Sequence, residues 1–333
     1  MGRVTVRQAL TNSLNVATVK VAEMVGYGRV VQIARQMGLG TNIRATPAVA
    51  LGAYELTPVE VSAAYTAFAT LGTRAEPMYV KSVVGAEGNA LERNTPQNKL
   101  VLDPRVAYLV DSILTDVLNK GTGAAVRARG FSLPAAGKTG TSRDGWFAGF
   151  TNNLVCVIWI GFDDNRDLGL SGGASAAPIW ADFMMRATTL PGYRDVKDFD
   201  KPEGVDSILI DADTLEVATP ICPNTREEVY IAGSEPTQLC ELHGGHPATT
   251  AGSFLSHIFG GGSPKPPQTT PGNEGAPGQP AVKDGQPAPT DAADSSKDNE
   301  KKKGLFQKIF GIFGDKKKKE PDKPPARDKG DSP

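Results

Sequence analysis

The sequence predicts a mixed protein of class α/β (α+β), in which several helices precede a group of strands. Capping signals predict the helices: Thr5 stands three residues before Gln8 and Thr57 three residues before Glu60, and apolar residues follow at helical spacing. Aromatic and β-branched residues are concentrated further along the chain, where they predict strands instead. The predicted strands span 136–142, 145–152 and 154–162.

The remaining elements follow in chain order from their caps and terminators. The long helix is the clearest of them, because Asp103 and Pro104 form a strong start signal and Gly121 ends the apolar stripe. A small hairpin is predicted around Gly88, and 207–210 reads as a strand. The predicted helices run from about 5 to 13, 16 to 26, 29 to 37, 57 to 71, 103 to 120 and 176 to 186.

The stretch Lys138-Thr139-Gly140-Thr141 carries the chemistry that suits an anionic, peptide-like ligand. An ammonium group attracts a carboxylate, hydroxyls hydrogen-bond to it, and a glycine lets another backbone approach closely. Taken alone, Lys-Thr-Gly is a common tripeptide and could be an ordinary strand end. Its neighbours in the sequence are needed to decide between the two interpretations.

Ser13 and Asn15 lie where the first two predicted helices meet, so their side chains could line a site at that junction. The alternative is that one of them simply caps the second helix, since serine and asparagine are preferred N-cap residues.

The chain has three cysteines, of which Cys156 lies in an apolar run and is predicted to be a buried thiol. Cys222 and Cys240 lie in a loop-rich segment, where a disulfide between them is the first prediction for an oxidising compartment. A zinc site of Cys222, Cys240, His243 and His246 is the alternative, although the spacing is not that of a standard zinc finger.

Charge and hydropathy argue against nucleic-acid binding and against a membrane-spanning segment or signal peptide in this sequence. The chain has 36 basic and 37 acidic residues, which gives no global field for binding nucleic acid. No run of 18 apolar residues is present, and the first residues lack the apolar region of a signal peptide.

Composition changes toward the C-terminus, where 12 of the 25 prolines fall in the last 70 residues. We therefore expect a disordered Pro/Gly/Lys-rich tail over 251–333. A short helix at 304–314, flanked by lysines, could rest on an anionic membrane surface. A low-complexity tail without a fixed partner explains the same composition.

Three features in one order give the sequence a family resemblance: Ser13-Leu14-Asn15, Leu51-Gly52 through Thr57-Pro58, and Gly121-Thr122-Gly123 followed by Lys138-Thr139-Gly140-Thr141. Together they resemble the transpeptidase domain of class A penicillin-binding proteins, the bifunctional murein synthases of bacteria. The resemblance implies a partial transpeptidase domain over 1–190 and a small C-terminal appendix over 191–250. It also implies a β-lactamase/transpeptidase-like fold, with an antiparallel five-stranded sheet between helices and a helical region beside it.

The resemblance assigns roles to individual residues. Ser13 would relay a proton, Lys138 would stabilise anions in the cleft, and the backbone N–H of Thr141 would form half of an oxyanion hole. Asn15 would bind the donor peptide, and Thr139, Gly140 and Thr141 would hold its terminal carboxylate. The implied partners are peptidoglycan stem peptides ending in D-Ala-D-Ala and, for the complete protein, β-lactam antibiotics. No cofactor is expected, and the complete protein would act on the extracytoplasmic face of the inner membrane.

The family nucleophile is a serine followed three residues later by a lysine, and no serine of this chain has that neighbour. We therefore expect an N-terminally incomplete domain that has lost the first two strands of its sheet and, with the nucleophile, its acylation chemistry. The resemblance further implies that the complete parent has a glycosyltransferase domain. A non-catalytic module that binds stem peptides is the alternative, and a serine β-lactamase relative is a weaker one.

Overall fold

The computed structural model describes residues 2–40 and 42–244, and these form the mixed α/β arrangement of helices and small antiparallel sheets that the sequence predicts. The predicted tail, its helix at 304–314 and His246 lie outside the described residues. No helix within the described ranges is both long and apolar enough to cross a lipid bilayer.

Three of the helices begin where the sequence places their caps, whereas the one predicted from 176 begins four residues earlier, at Gly172. The Thr5 side chain accepts a hydrogen bond from the backbone N–H of Gln8, and the Gln8 side chain accepts one from the backbone N–H of Thr5. Thr57 and Glu60 form the same reciprocal box. Asp103 caps the longest helix at the predicted position. The helices are α1 (Val6–Thr11), α2 (Asn15–Val25), α3 (Tyr27–Gln36), α4 (Pro58–Ala69), α5 (Pro104–Lys120), α6 (Ala125–Ala128) and α7 (Gly172–Ala187), with a 3₁₀ helix at Pro47–Leu51.

Nine short strands occur in the described residues, in four antiparallel groups. The central sheet has the order β5-β6-β7, as the three predicted strands require, and the hairpin around Gly88 is β2-β3. The pair β1-β4 was not predicted, because each of its strands has only three residues. The strand β9 was not predicted either, because it is rich in charged residues. The strands are β1 (Thr73–Ala75), β2 (Ser82–Val84), β3 (Ala90–Arg93), β4 (Asn98–Leu100), β5 (Ala136–Thr141), β6 (Gly145–Phe150), β7 (Val155–Ile160), β8 (Val205–Asp211) and β9 (Thr225–Ile231).

Helices cover both faces of the central sheet. Phe147 and Phe150 are three residues apart on β6, so their side chains point to opposite faces. Phe147 packs against Trp180 of α7, with ring centroids 5.2 Å apart, whereas Phe150 packs against Tyr65 and Phe68 of α4. Both phenylalanines and Trp180 are fully buried, which makes this sheet the centre of the hydrophobic core.

The β8-β9 hairpin joins the rest of the fold through a partly buried ion-pair network. Arg7 of α1 bonds to Glu228 of β9 and, over 2.8 Å, to Asp116 of α5. Because the Arg7 side chain is only 8% exposed, the pairing is shielded from water. Glu228 also pairs with Arg226, and Asp116 with Lys120.

Candidate functional site

Ser13 lies at the bend between α1 and α2, in the left-handed backbone region with a φ of 54°. The N–H of Leu14 donates to the carbonyl of Ala9 over 2.8 Å, which closes the C-terminus of α1 around Ser13. The N-cap of α2 is Leu14, without a side-chain cap bond. The alternative interpretation of Ser13 or Asn15 as the cap of α2 is therefore wrong, and the Ser13 hydroxyl is available to another partner.

That partner is Lys138 of β5, which is 125 positions away in the sequence. The ammonium Nζ donates to Ser13 Oγ over 2.9 Å and to the carbonyl of Thr139 over 3.0 Å, and Thr139 Oγ1 lies 3.4 Å away. The fold thus brings together two of the residues singled out by their sequence context.

The environment of Lys138 changes its acidity. Burial lowers the pKa of Lys138 from 10.5 to about 8, because a charged ammonium is poorly solvated there. Among the described residues no carboxylate forms a salt bridge with it. An amine with a pKa near neutrality, in contact with a hydroxyl, can both hold and release a proton under physiological conditions.

Thr122 completes the contact between α1 and β5. Its Oγ1 lies 2.6 Å from Thr139 Oγ1, and its backbone N–H donates to the carbonyl of Thr11 at the end of α1 over 3.3 Å. Thr122 appeared in the sequence only as part of the Gly-Thr-Gly motif, without an assigned role. Nothing in local sequence could pair its hydroxyl with that of Thr139, because the two are 17 residues apart.

Glycines allow these segments to approach each other. A Cβ at Gly121 would lie 2.3 Å from the carbonyl oxygen of Thr11, and one at Gly173 would lie 2.5 Å from that of Thr122. Both distances are shorter than real Cβ contacts allow. The absence of side chains at these two positions therefore sets the separation between α1, the Thr122 turn and the start of α7.

The other predicted site residues surround the same place. Asn15 is exposed in the first turn of α2, and Gly140 and Thr141 follow Thr139 on β5. The hydroxyl of Thr141 accepts a hydrogen bond from the N–H of Gly172 over 2.9 Å, so it helps to dock α7. Among the described strands β5 pairs with β6 alone, which leaves one backbone edge beside Lys138 available to an extended ligand.

A second group of reactive side chains lies in the β8-β9 region. Cys222 and Cys240 are free thiols, so the predicted disulfide is not formed. Each thiol has its own partner: Cys222 Sγ accepts from the N–H of Thr219 over 3.2 Å, and Cys240 Sγ lies 3.4 Å from Nδ1 of His243. Of the predicted zinc ligands, Cys222, Cys240 and His243 lie together, and Asp211 is a fourth member of the group. Sequence reasoning missed Asp211 because it ends a strand 11 residues before Cys222, without a metal-ligand spacing.

The sequence model of the "Penicillin binding protein transpeptidase domain" matches residues 1–185. The chain belongs to this family. A second model, "Penicillin-binding protein 1A, C-terminal domain", matches residues 201–245.

Individual relatives agree with this assignment. Penicillin-binding protein 1A of Aquifex aeolicus is 36% identical over 245 residues, which cover 72% of this chain and 33% of that protein. Penicillin-binding protein 2D of Bacillus subtilis is 33% identical over 253 residues, covering 74% and 36%. The crystal structure of penicillin-binding protein 1A from Haemophilus influenzae superposes with a TM-score of 0.64 at 25% identity, covering 71% of this chain and 41% of that one. The chain thus spans about a third of the length of the curated relatives it matches.

Proposed function

We propose that residues 1–190 form the substrate-recognition part of a serine-type D,D-transpeptidase domain, with 191–250 as its appendix. The ligand is a peptidoglycan stem peptide ending in D-Ala-D-Ala, on the extracytoplasmic side of the inner membrane. The observation that carries the proposal is the 2.9 Å contact between Lys138 Nζ and Ser13 Oγ. It places an amine and a hydroxyl next to an open strand edge, where a peptide can add as an extended segment.

The terminal carboxylate of the peptide would bind at β5. Lys138 supplies the positive charge and Thr139 a hydroxyl already positioned by Thr122. Gly140 would contribute backbone groups only, since a side chain at that position would press against Trp146 of β6. The backbone N–H of Thr141 would donate to the carbonyl under attack, as half of an oxyanion hole. Its hydroxyl would have to exchange its bond with Gly172 to reach the carboxylate.

The other side of the peptide would face the α1–α2 junction. Asn15 has an amide that can both donate to and accept from a peptide bond, and it is exposed in the first turn of α2. Ser13 would pass a proton between Lys138 and the leaving amine, which the low pKa of Lys138 favours.

The covalent step needs a nucleophile that these 333 residues do not contain, since no serine is followed three positions later by lysine. We propose that the chain as given binds the stem peptide reversibly and is not acylated by β-lactams. Crosslinking and β-lactam binding then belong to a form that includes the Ser-x-x-Lys pair.

The test measures binding of diacetyl-L-Lys-D-Ala-D-Ala to the full chain by saturation-transfer NMR, which detects weak ligands. Lys138→Met should weaken binding by about tenfold or more, because a charge-assisted hydrogen bond is worth about 1.5–3 kcal/mol. Lys99→Met is the matched control, since Lys99 is exposed on β4 outside the site. A peptide ending in L-Ala-L-Ala should not compete.

Equal binding of the two stereoisomers, or equal loss in both variants, would overturn the recognition site. A fluorescent penicillin provides the second arm. The chain as given should remain unlabelled, and a version extended by a Ser-x-x-Lys segment should be labelled. Covalent labelling of the unextended chain would contradict the assignment of the nucleophile to the Ser-x-x-Lys pair.

A further inference from the structure

Four metal-binding side chains meet at the end of β8. They are Asp211, Cys222, Cys240 and His243, and one ligand atom from each lies within 4.8 Å of all the others. Asp211 and Cys240 are fully buried, whereas Cys222 and His243 are partly exposed. The cluster belongs to the β8-β9 region, and neither the transpeptidase chemistry nor the proposed peptide site uses it.

The backbone holds the ligands in this arrangement. Asp211 Oδ1 accepts the N–H groups of Asp213 and Thr214, both over 2.9 Å, so its second oxygen is directed to the other ligands. Val217 links the segments, because it bridges to both Ile210 and Leu239 and its carbonyl accepts the N–H of Cys240 over 2.9 Å.

The side chains face one another. Nδ1 of His243 is 2.8 Å from Asp211 Oδ2 and 3.4 Å from Cys240 Sγ. The Thr219 hydroxyl donates to the carbonyl of His243 over 2.7 Å, and the N–H of Thr219 donates to Cys222 Sγ. Four donor atoms around a tetrahedral zinc, with bonds of about 2.0–2.3 Å, would stand about 3.3–3.8 Å apart. Small movements would bring this cluster to that geometry.

The surrounding region has little else to stabilise it. Within 201–244 the buried apolar side chains are Val205, Ile210 and Cys240. A segment of this size cannot fold on so small a core without a crosslink, a metal or support from a neighbour. The neighbouring support is the Arg7–Glu228 pair on the strand β9.

We propose that Asp211, Cys222, Cys240 and His243 bind one structural Zn²⁺ ion. Two thiolates, an imidazole and a carboxylate are borderline-soft ligands that suit zinc and do not suit calcium or magnesium, which take oxygen ligands. Four protein ligands fill a tetrahedral shell, so the site is closed and structural. Binding removes the protons of the two thiols, and the metal-bound thiolates are no longer free to pair as a disulfide.

The first experiment is metal analysis of the purified 333-residue chain, with zinc content determined by mass spectrometry and affinity by competition with a chromophoric chelator. We expect one zinc per chain, and Co²⁺ substitution should give the thiolate-to-metal absorption of a tetrahedral site. Cys240→Ser should weaken zinc binding by more than about a hundredfold, since each ligand contributes a large share of the binding free energy. Cys156→Ser is the matched control, because Cys156 is buried in β7 away from the cluster.

Two further variants test the ligand set itself. Asp211→Asn should weaken zinc binding, whereas His246→Ala, which replaces the second histidine of the set predicted from the sequence, should leave it unchanged. The reverse result would overturn the proposed set. Because Cys240→Ser could unfold the region, amide hydrogen exchange of the wild-type chain provides an independent readout. Chelation should raise exchange in β8 and β9 and leave β5 to β7 unchanged.

Two results would overturn the zinc site altogether. One is a wild-type chain with free thiols that binds zinc no more tightly than Cys240→Ser. The other is a Cys222–Cys240 disulfide in the folded chain after purification with zinc present.

Discussion

Replacement of Lys138 by methionine should stabilise the folded chain while it weakens peptide binding by about tenfold or more. Burial lowers the pKa of Lys138 from 10.5 to about 8. Since a tenfold change in a protonation equilibrium is worth about 1.4 kcal/mol, the charged amine costs the fold about 3 kcal/mol near pH 7. Methionine keeps the apolar stem and removes that cost, but it also loses the hydrogen bonds to Ser13 and Thr139. Each of those is worth about 0.5–1.5 kcal/mol.

The net gain for Lys138→Met is then about 0–2 kcal/mol at neutral pH. For a domain of this size it corresponds to a rise in Tm of up to roughly 8 °C. The effect has a defined pH dependence. Between pH 8 and 10.5 the folded lysine is neutral while the unfolded lysine is still charged, so the wild-type chain gains stability as pH rises. The advantage of methionine should therefore shrink across this window.

Thermal unfolding followed by circular dichroism, at about pH 7 and about pH 10, measures the effect. Lys99→Met is the control, because Lys99 is exposed on β4 and its loss removes no buried charge. If Lys138→Met lowers Tm at pH 7, or raises it equally at both pH values, the burial of a charged lysine is not the cause. A variant that is more stable but binds its ligand less tightly is typical of a functional site at which the native residue costs stability.

Three other perturbations follow from particular contacts. Asp111 is 1% exposed, and burial raises its pKa to about 8, so the stability of the wild-type chain should fall as pH rises from about 4 to 8. Denaturant titrations at several pH values should show that Asp111→Asn flattens this dependence. Gly121→Ala places a methyl group 2.3 Å from the carbonyl oxygen of Thr11, so α1 should shift away and peptide binding in the NMR assay should weaken about tenfold or more. An unchanged affinity would show that this contact does not position the site. Arg7→Ala removes the partly buried guanidinium that joins Glu228 to Asp116, which keep Arg226 and Lys120 as ion-pair partners. It should cost about 1.5–3 kcal/mol, seen as a lower midpoint in urea.

Local sequence predicted the elements that carry strong start signals. The capping boxes at Thr5 and Thr57 and the Asp103 cap place three helices correctly, because the side chain that caps a helix is a near neighbour of the N–H group it satisfies. The central strands were also predictable, since their aromatic and β-branched residues are characteristic of a buried sheet. β9 was missed because its charged residues serve an ion pair with α1, which local pattern does not show.

The sequence by itself determined the family resemblance, through the order of its motifs and the identities of Ser13, Asn15 and Lys138. Only the tertiary structure decided that Lys138 contacts Ser13 and has a lowered pKa, because both depend on burial by segments more than a hundred residues apart. It likewise replaced the predicted disulfide by free thiols and brought Asp211 to them. Capping and strand propensity act over a few residues, whereas sites arise where distant segments pack, and that packing is set by the whole fold.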